Sequence, residues 1–305
     1  MFDSVVRTVD QVGSPAAEFD IDAALVGSLL AEQHPDLAVL GLTELDAGWD
    51  NSLWRLGDRL VVRLPRRAAA VPLAVHEHRW LPTVAARLPL PVPTPVRVGV
   101  ASSCFPWPWS VVPWIDGIPG DRAALSDPDG SAVRLGRFLA ALHEPAPPEA
   151  PRNPYRGVPI IERAAAFEDR MATCASQLDA AALRSTWQSA CNAPLWRNVP
   201  VWLHGDLHPA NMLVDGGVLA GVIDFGDMCA GDPATDLAGA WMLLPTASLG
   251  AFLHAYGPVD DALLARARGW AVLFGLMLLG IGLADKPTYE PVARATLARA
   301  TAATP

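Results

Sequence analysis

Asp206 and Asn211 stand five residues apart, and Asp224 follows the next apolar run, Val218–Ile223. A carboxylate, an amide oxygen and a second carboxylate at those places form a set with a definite chemistry. One carboxylate can take the proton of an attacking hydroxyl. The other, with the amide oxygen, offers hard donors of the kind Mg²⁺ takes, few in number because that ion keeps several waters. Taken singly, Gly205, Asp206, Pro209, Asn211, Asp215 and Gly216 are also ordinary turn residues. Their joint spacing, around two strand-like runs at Val199–Leu203 and Val218–Ile223, points to a site, because polar residues that cap strands lie on loops.

The separation of Asp206 and Asn211 is that of the catalytic Asp and Asn in protein kinases, and Asp224-Phe225-Gly226 repeats a kinase signature letter for letter. Together, HGDLHPANMLV and VIDFGDMCAGDPATDLA closely resemble the aminoglycoside phosphotransferase family of small-molecule kinases, which carries H-G-D-x-x-x-x-N and I-D-F/W-G/E. The resemblance implies Asp206 as catalytic base, Asn211 and Asp224 as ligands of Mg²⁺, and His204 as an orienter of the loop. His208 is either a packing residue or a substrate contact. Asp232 and Asp236 fit helix capping, with Pro233 at the first helical position.

These residues need elements to hold them. Phe19–Gln33 has the apolar spacing of a helix started by Asp20 or Asp22. Val39–Leu45, Ser52–Leu56 and Arg59–Leu64 read as strands separated by turns at Asp46-Ala47-Gly48 and Gly57-Asp58. A helix over Ala74–Leu88 ends at the proline run Pro89–Pro95, and Arg97–Val100 and Ser110–Trp114 follow as strands. Beyond them the expected helices are Arg122–Glu144, Ile160–Ala182, Ala182–Trp196, Pro233–Leu244, Ser248–Ala255, Asp260–Ala284 and Glu290–Ala302.

On the kinase pattern, the donor's phosphates lie under the first hairpin. Gly48, Asn51 and Ser52 are the candidates there, through backbone N–H groups and side chains. Arg63 stands where a kinase has its phosphate-contacting Lys, Arg66 and Arg67 can share that role, and Glu77 is the helical carboxylate that would hold the cation. Backbone groups near Val112 and Trp114 would meet the purine. The resemblance thus implies an α+β, bilobal, protein-kinase-like fold. A lobe of five antiparallel strands and a helix occupies residues 1–113, a hinge lies near 112–117, and a mainly helical lobe over 114–305 carries the catalytic loop and the acceptor site.

Composition sets further bounds. The 305 residues carry a formal net charge of −9, which argues against nucleic acid and is compatible with a cationic acceptor. Cys104, Cys174, Cys191 and Cys229 show no paired spacing, and Met1–Gln11 has no apolar run, so a reducing cytoplasm without a signal peptide is expected. Gly269–Ala284 is apolar but falls short of the roughly 20 residues a bilayer needs, and reads as a core helix rather than a membrane span. Glu162, Glu168, Asp169 and Asp179 can meet a polycationic acceptor, although a solvated helix face explains each of them more simply.

The expected activity is transfer of the γ-phosphoryl group of ATP or GTP to a hydroxyl of a small molecule, with an aminoglycoside as first choice. The alternatives are a macrolide, a metabolic acceptor of the homoserine, choline or thiosugar type, and a silent pseudokinase suggested by Arg63 in place of Lys.

Overall fold

The computed structural model describes residues 16–45, 48–174, 178–284 and 286–302. The turn expected at Asp46-Ala47-Gly48 lies partly outside them. The chain separates into two compact units. One runs to Ala86 and resumes over Val92–Ile115; the other comprises Arg87–Pro91 and the chain from Asp116 onward.

The first unit is built on an antiparallel sheet of β1 (Leu42–Glu44), β2 (Asn51–Leu56), β3 (Leu60–Pro65), β4 (Arg97–Gly99) and β5 (Trp109–Pro113), in the order β1-β2-β3-β5-β4. β2 alternates strictly between half-buried and buried residues, the two-residue period of a strand with one face on a core. Trp54, Leu56, Val62, Leu64, Trp109 and Val111 form that core with Val26, Leu29 and Leu30 of helix α1 (Ala23–Gln33). Asp22 starts α1, its carboxylate accepting the N–H of Leu25 at 2.8 Å. Helix α2 (Val71–Ala85) buries Glu77, Leu81 and Val84.

The second unit is mainly helical. Helix α3 (Pro128–Leu142) begins six residues later than the apolar pattern suggests, because Asp127 caps it through the N–H of Gly130 at 2.8 Å and Pro128 fits the first helical turn. The long helix expected from Ile160 is a single 3₁₀ turn followed by α4 (Ala164–Cys174), and Asp179 caps the separate α5 (Ala180–Asn192). Helices α6 (Ala234–Leu243), α7 (Leu249–Tyr256), α8 (Asp261–Ala284) and α9 (Tyr289–Thr301) complete it. Helix α8 packs against α4, α5, α6 and α9. It is long and apolar enough to cross a membrane, yet 67% of its most apolar window is buried inside the protein, as in a core helix.

Short strands do the positioning. β6 (Ile118–Pro119), β8 (Met212–Asp215) and β9 (Val218–Val222) form one sheet, and β7 (Val201–Leu203) pairs with β10 (Cys229–Gly231) in another. The strand β8 was not expected from the sequence. It turns through Gly216 and Gly217, both at positive φ, into antiparallel β9. Met212 opposes Val222 in that hairpin, which sets Asn211 just before one strand and Asp224 just after the other.

Candidate active site

The loop from His204 to Asn211 is fastened at both ends. Its carbonyl at Asn211 accepts the N–H of Ile223 at 2.9 Å, extending the β8–β9 register by one residue. His204 is fully buried, and its ring bridges two backbones: Nδ1 accepts the N–H of Asp206 at 3.2 Å while Nε2 lies 2.9 Å from the carbonyl of Ile223. Those partners require the proton on Nε2. The ring also packs against Phe225, 4.6 Å between centroids. Gly205 takes φ +85°, and a Cβ there would sit 2.4 Å from the carbonyl oxygen of Asp227, so no other residue fits without displacement.

Asn211 is 7% exposed and donates Nδ2 to the carbonyl of Asp206 at 2.9 Å, which fixes the amide and leaves Oδ1 as the atom it could offer a cation. Asp224 is exposed and is the one non-glycine among the described residues at positive φ, 64°. Holding a side chain in that left-handed region costs of order 1–3 kcal/mol, a strain typical of functional positions. An amide oxygen and an exposed carboxylate carried by one hairpin fit Mg²⁺, which takes few protein ligands when phosphates and water supply the rest. No cage of three or more His, Cys, Asp or Glu occurs among the described residues.

The Asp206 side chain is 23% exposed and lies between Arg156, with Nη2 at 3.1 Å from Oδ1, and the His208 ring, with Nε2 at 3.6 Å from Oδ2. Burial alone would raise its pKa; the charges of His208 and Arg156 outweigh that and hold the carboxyl well below the usual range. For His208 burial works downward, and the Asp206 carboxylate, with Asp224 and Asp121 behind it, reverses the sign and raises the pKa. His208 also packs edge-on against Tyr289, 6.2 Å between centroids.

In the first unit, Arg63 and Glu77 form an ion pair, with side chains 11% and 4% exposed. Strand β3 supplies the cation and helix α2 the carboxylate. Arg66 donates to the carbonyl of Gly48 at 2.9 Å, and Arg67 pairs with Asp50 at 2.6 Å, so both neighbours of Arg63 brace the first hairpin. Gly48 and Asn51 close that hairpin, with the Gly48 N–H on the Asn51 carbonyl at 3.0 Å. Ser52, the third candidate for the phosphates, follows on β2. The alternation of β2 turns it inward, where its hydroxyl accepts from Trp54 Nε1 at 2.9 Å. At the expected hinge, buried Val112 pairs with Val61, and the N–H of Trp114 is taken by the Arg59 carbonyl at 2.7 Å. The Arg55 guanidinium stacks 3.7 Å over the Trp114 ring.

Three features escaped the sequence. Arg156 reaches Asp206 from a proline-rich loop that offers no motif. Asn153, from the same loop, donates to Asp227 at 2.8 Å. Asp236 caps no helix: it lies within the first turn of α6 and accepts the backbone N–H groups of His204 at 2.6 Å and Gly205 at 2.9 Å. Only the isolated Asp in GDPATD could have signalled it. Asp232 does serve its helix, accepting from Ala234 N at 3.1 Å, and also forms a buried ion pair with Arg266 at 2.7 Å. Of the acidic residues considered for an acceptor, Glu168 is bound by Arg184 at 2.6 and 2.8 Å, Asp179 is the α5 cap, and Glu162 and Asp169 are exposed.

Comparisons with known proteins follow the same lines. A search of curated protein sequences finds no match. Among solved structures, APH(2")-IIia in complex with GDP and kanamycin aligns at TM-score 0.68 and 22% identity, over 90% of this chain and 97% of that one. Macrolide 2'-phosphotransferase MphH from Brachybacterium faecium, as apoenzyme, aligns at TM-score 0.57 and 24% identity, over 90% and 97%. ADP-bound APH(2'')-Ib aligns at TM-score 0.57 and 18% identity, over 90% and 98%. At these identities the likeness establishes the α+β, kinase-like fold. The family model of the phosphotransferase enzymes, APH, matches residues 41–270, which takes in both units and every candidate residue above. The chain belongs to the phosphotransferase enzyme family.

Proposed function

We propose that the protein transfers the γ-phosphoryl group of ATP or GTP to a hydroxyl of a small molecule, with Asp206 as the base. The observation that carries this is the loop itself: Asp206, Asn211 and Asp224 are set by one hairpin, one bridging histidine and one buried carboxylate. Asp206 orients the acceptor hydroxyl and receives its proton as the phosphoryl group departs. A carboxylate paired with Arg156 is a weak base, which suits a loose transition state in which positioning matters more than early proton removal.

Asn211 and Asp224 are the residues that would hold Mg²⁺. When bound, the ion neutralises charge on the phosphates. Arg63 contacts phosphate oxygens with Glu77 fixing its fork, and Gly48 and Asn51 offer hairpin groups to the same phosphates. Residues 1–113 act as the nucleotide-binding lobe, with backbone near Val112 and Trp114 reading the base, and residues 114–305 supply catalysis and the acceptor site. Neither nucleic acid nor a membrane takes part, and the cytoplasm is the compartment.

For the acceptor, the kanamycin complex of one structural neighbour supports an aminoglycoside, and the macrolide phosphotransferase supports a macrolide. The test is nucleotide turnover by the purified protein with Mg²⁺, ATP and GTP separately, over aminoglycosides, macrolides, amino alcohols and hydroxy acids. Acceptor-dependent release of nucleoside diphosphate is the expected result. Nucleotide binding with no turnover on any acceptor would favour a silent nucleotide-binding protein instead.

A further inference from the structure

The loop and helix over residues 151–174 carry Arg152, Arg156, Arg163 and Arg170 against Glu162, Glu168 and Asp169. Glu168 is already bound by Arg184, so the local balance is positive although the whole chain is negative. Arg156 contacts the catalytic carboxylate at 3.1 Å, and its guanidinium lies 4.9 Å from the Phe274 ring centroid. Its Nε is buried and makes no hydrogen bond. Among the described residues Arg163 has no carboxylate partner: its guanidinium lies over Tyr155 at 5.0 Å, and its Nε too is buried without a hydrogen bond. Arg170 donates only to the Ala166 carbonyl of its own helix, at 3.1 Å.

The three guanidinium groups feel one another. Burial lowers the pKa of Arg163, and the charge of Arg156 lowers it further. Arg170 is pulled down to about 10 by burial and then by Arg163 and Arg156, with Asp169 as partial relief. Of the three, Arg156 alone touches the Asp206 carboxylate, Arg163 and Arg170 stand behind it, and like charges with buried donors left unused on Arg156 and Arg163 are seldom gathered unless an anion joins them.

We propose that the acceptor carries an anionic oxygen group, a carboxylate or a phosphate, seated on Arg156, Arg163 and Arg170 beside Asp206. This rests on the kinase reading above in placing the acceptor hydroxyl at Asp206. It also assigns Arg156 a second task. In the absence of acceptor it pairs with Asp206; an incoming anion gives it another partner and leaves that carboxylate available to the hydroxyl. A polycationic aminoglycoside would meet three arginines of its own sign.

Four probes on one sugar frame test it: glucose, glucosamine, glucuronate and glucose 6-phosphate, titrated calorimetrically into the full protein saturated with Mg²⁺ and ADP. Glucuronate, glucose 6-phosphate or both should bind at least tenfold more tightly than glucose, with glucosamine weakest; which of the two wins tells a carboxylate site from a phosphate site. Arg163→Gln and Arg170→Gln should each remove about tenfold of the anion preference, and Arg163→Lys should recover part of it. Equal binding of all four probes, preference for glucosamine, or an anion preference untouched in whichever Gln variants retain the wild-type melting temperature would overturn the proposal. Turnover is read separately. Anions that bind but accept no phosphoryl group sink the kinase reading alone, whereas turnover of kanamycin with no anion binding sinks the anion site alone.

Discussion

The carboxylate of Asp236 accepts the backbone N–H of His204 at 2.6 Å, two residues before the candidate base. Its second oxygen takes the N–H of Gly205 at 2.9 Å, while His143 Nε2 stands 3.3 Å from the first, with Tyr256 on the far nitrogen at 2.9 Å. From helix α6, a fully buried carboxylate therefore fixes the loop that carries the candidate base. Asp236→Ala would strand two buried donors, each at about 1–3 kcal/mol. Denaturant unfolding should show a loss of about 3 kcal/mol or more, with Asp236→Asn losing less because its amide oxygen still accepts. A loss under 1 kcal/mol for the Ala variant would mean that the loop is held by other contacts.

Gly205 offers a sharper geometric check. At φ +85° and 2.4 Å from the Asp227 carbonyl, an added Cβ must move the loop. Gly205→Ala should lower phosphoryl transfer at least a hundredfold and cost about 2 kcal/mol of stability. Unimpaired kcat in that variant would show that the position of Asp206 tolerates such a shift.

Arg63 and Glu77 allow stability to be separated from function. Removing one partner of a buried pair costs about 3 kcal/mol, whereas replacing both with apolar residues is often neutral. Glu77→Gln and Arg63→Ala should both unfold at lower denaturant. The double variant Arg63→Met, Glu77→Leu should regain that stability yet bind nucleotide at least tenfold more weakly. Full nucleotide affinity in the double variant would remove Arg63 from the phosphate site.

His78 adds a pH dependence beside the same pair. Burial first, and the charge of Arg63 second, lower its pKa to about 4 from 6.5. The unfolded chain therefore binds a proton between pH 6.5 and 4 that the folded chain refuses, so this contribution is fully present above pH 6.5 and is lost as pH falls through that window. With solvent screening it should amount to of order 1–2 kcal/mol. His78→Gln should flatten the stability profile there; an unchanged slope would assign the pH dependence to other groups.

Legibility in the sequence followed the range of the interactions. Asp206, Asn211 and Asp224 could be read because a loop of fixed length and a hairpin impose their spacing, and the five strands of the first unit because their period is local. The inward setting of Ser52 was not legible, because a polar residue near a loop looks like a ligand and only its strand register turns it toward Trp54. Asp236 looked like a cap because its contact lies over thirty residues upstream, where no period reaches. Arg156, beside Asp206, and the arginines near it were hidden for a similar reason. Summed charge is −9, and only folding shows that positive groups collect at one place while acids such as Glu168 are already bound.

The most direct measurement compares the native protein with Asp206→Asn in single-turnover phosphoryl transfer from γ-labelled ATP and GTP, with Mg²⁺ and whichever acceptor the panel identifies. Transfer should fall at least a thousandfold in the variant while nucleotide affinity stays within about threefold, since the lost group acts on the hydroxyl and not on the nucleotide. Transfer at near-native rate by Asp206→Asn would contradict the assignment of Asp206 as the base.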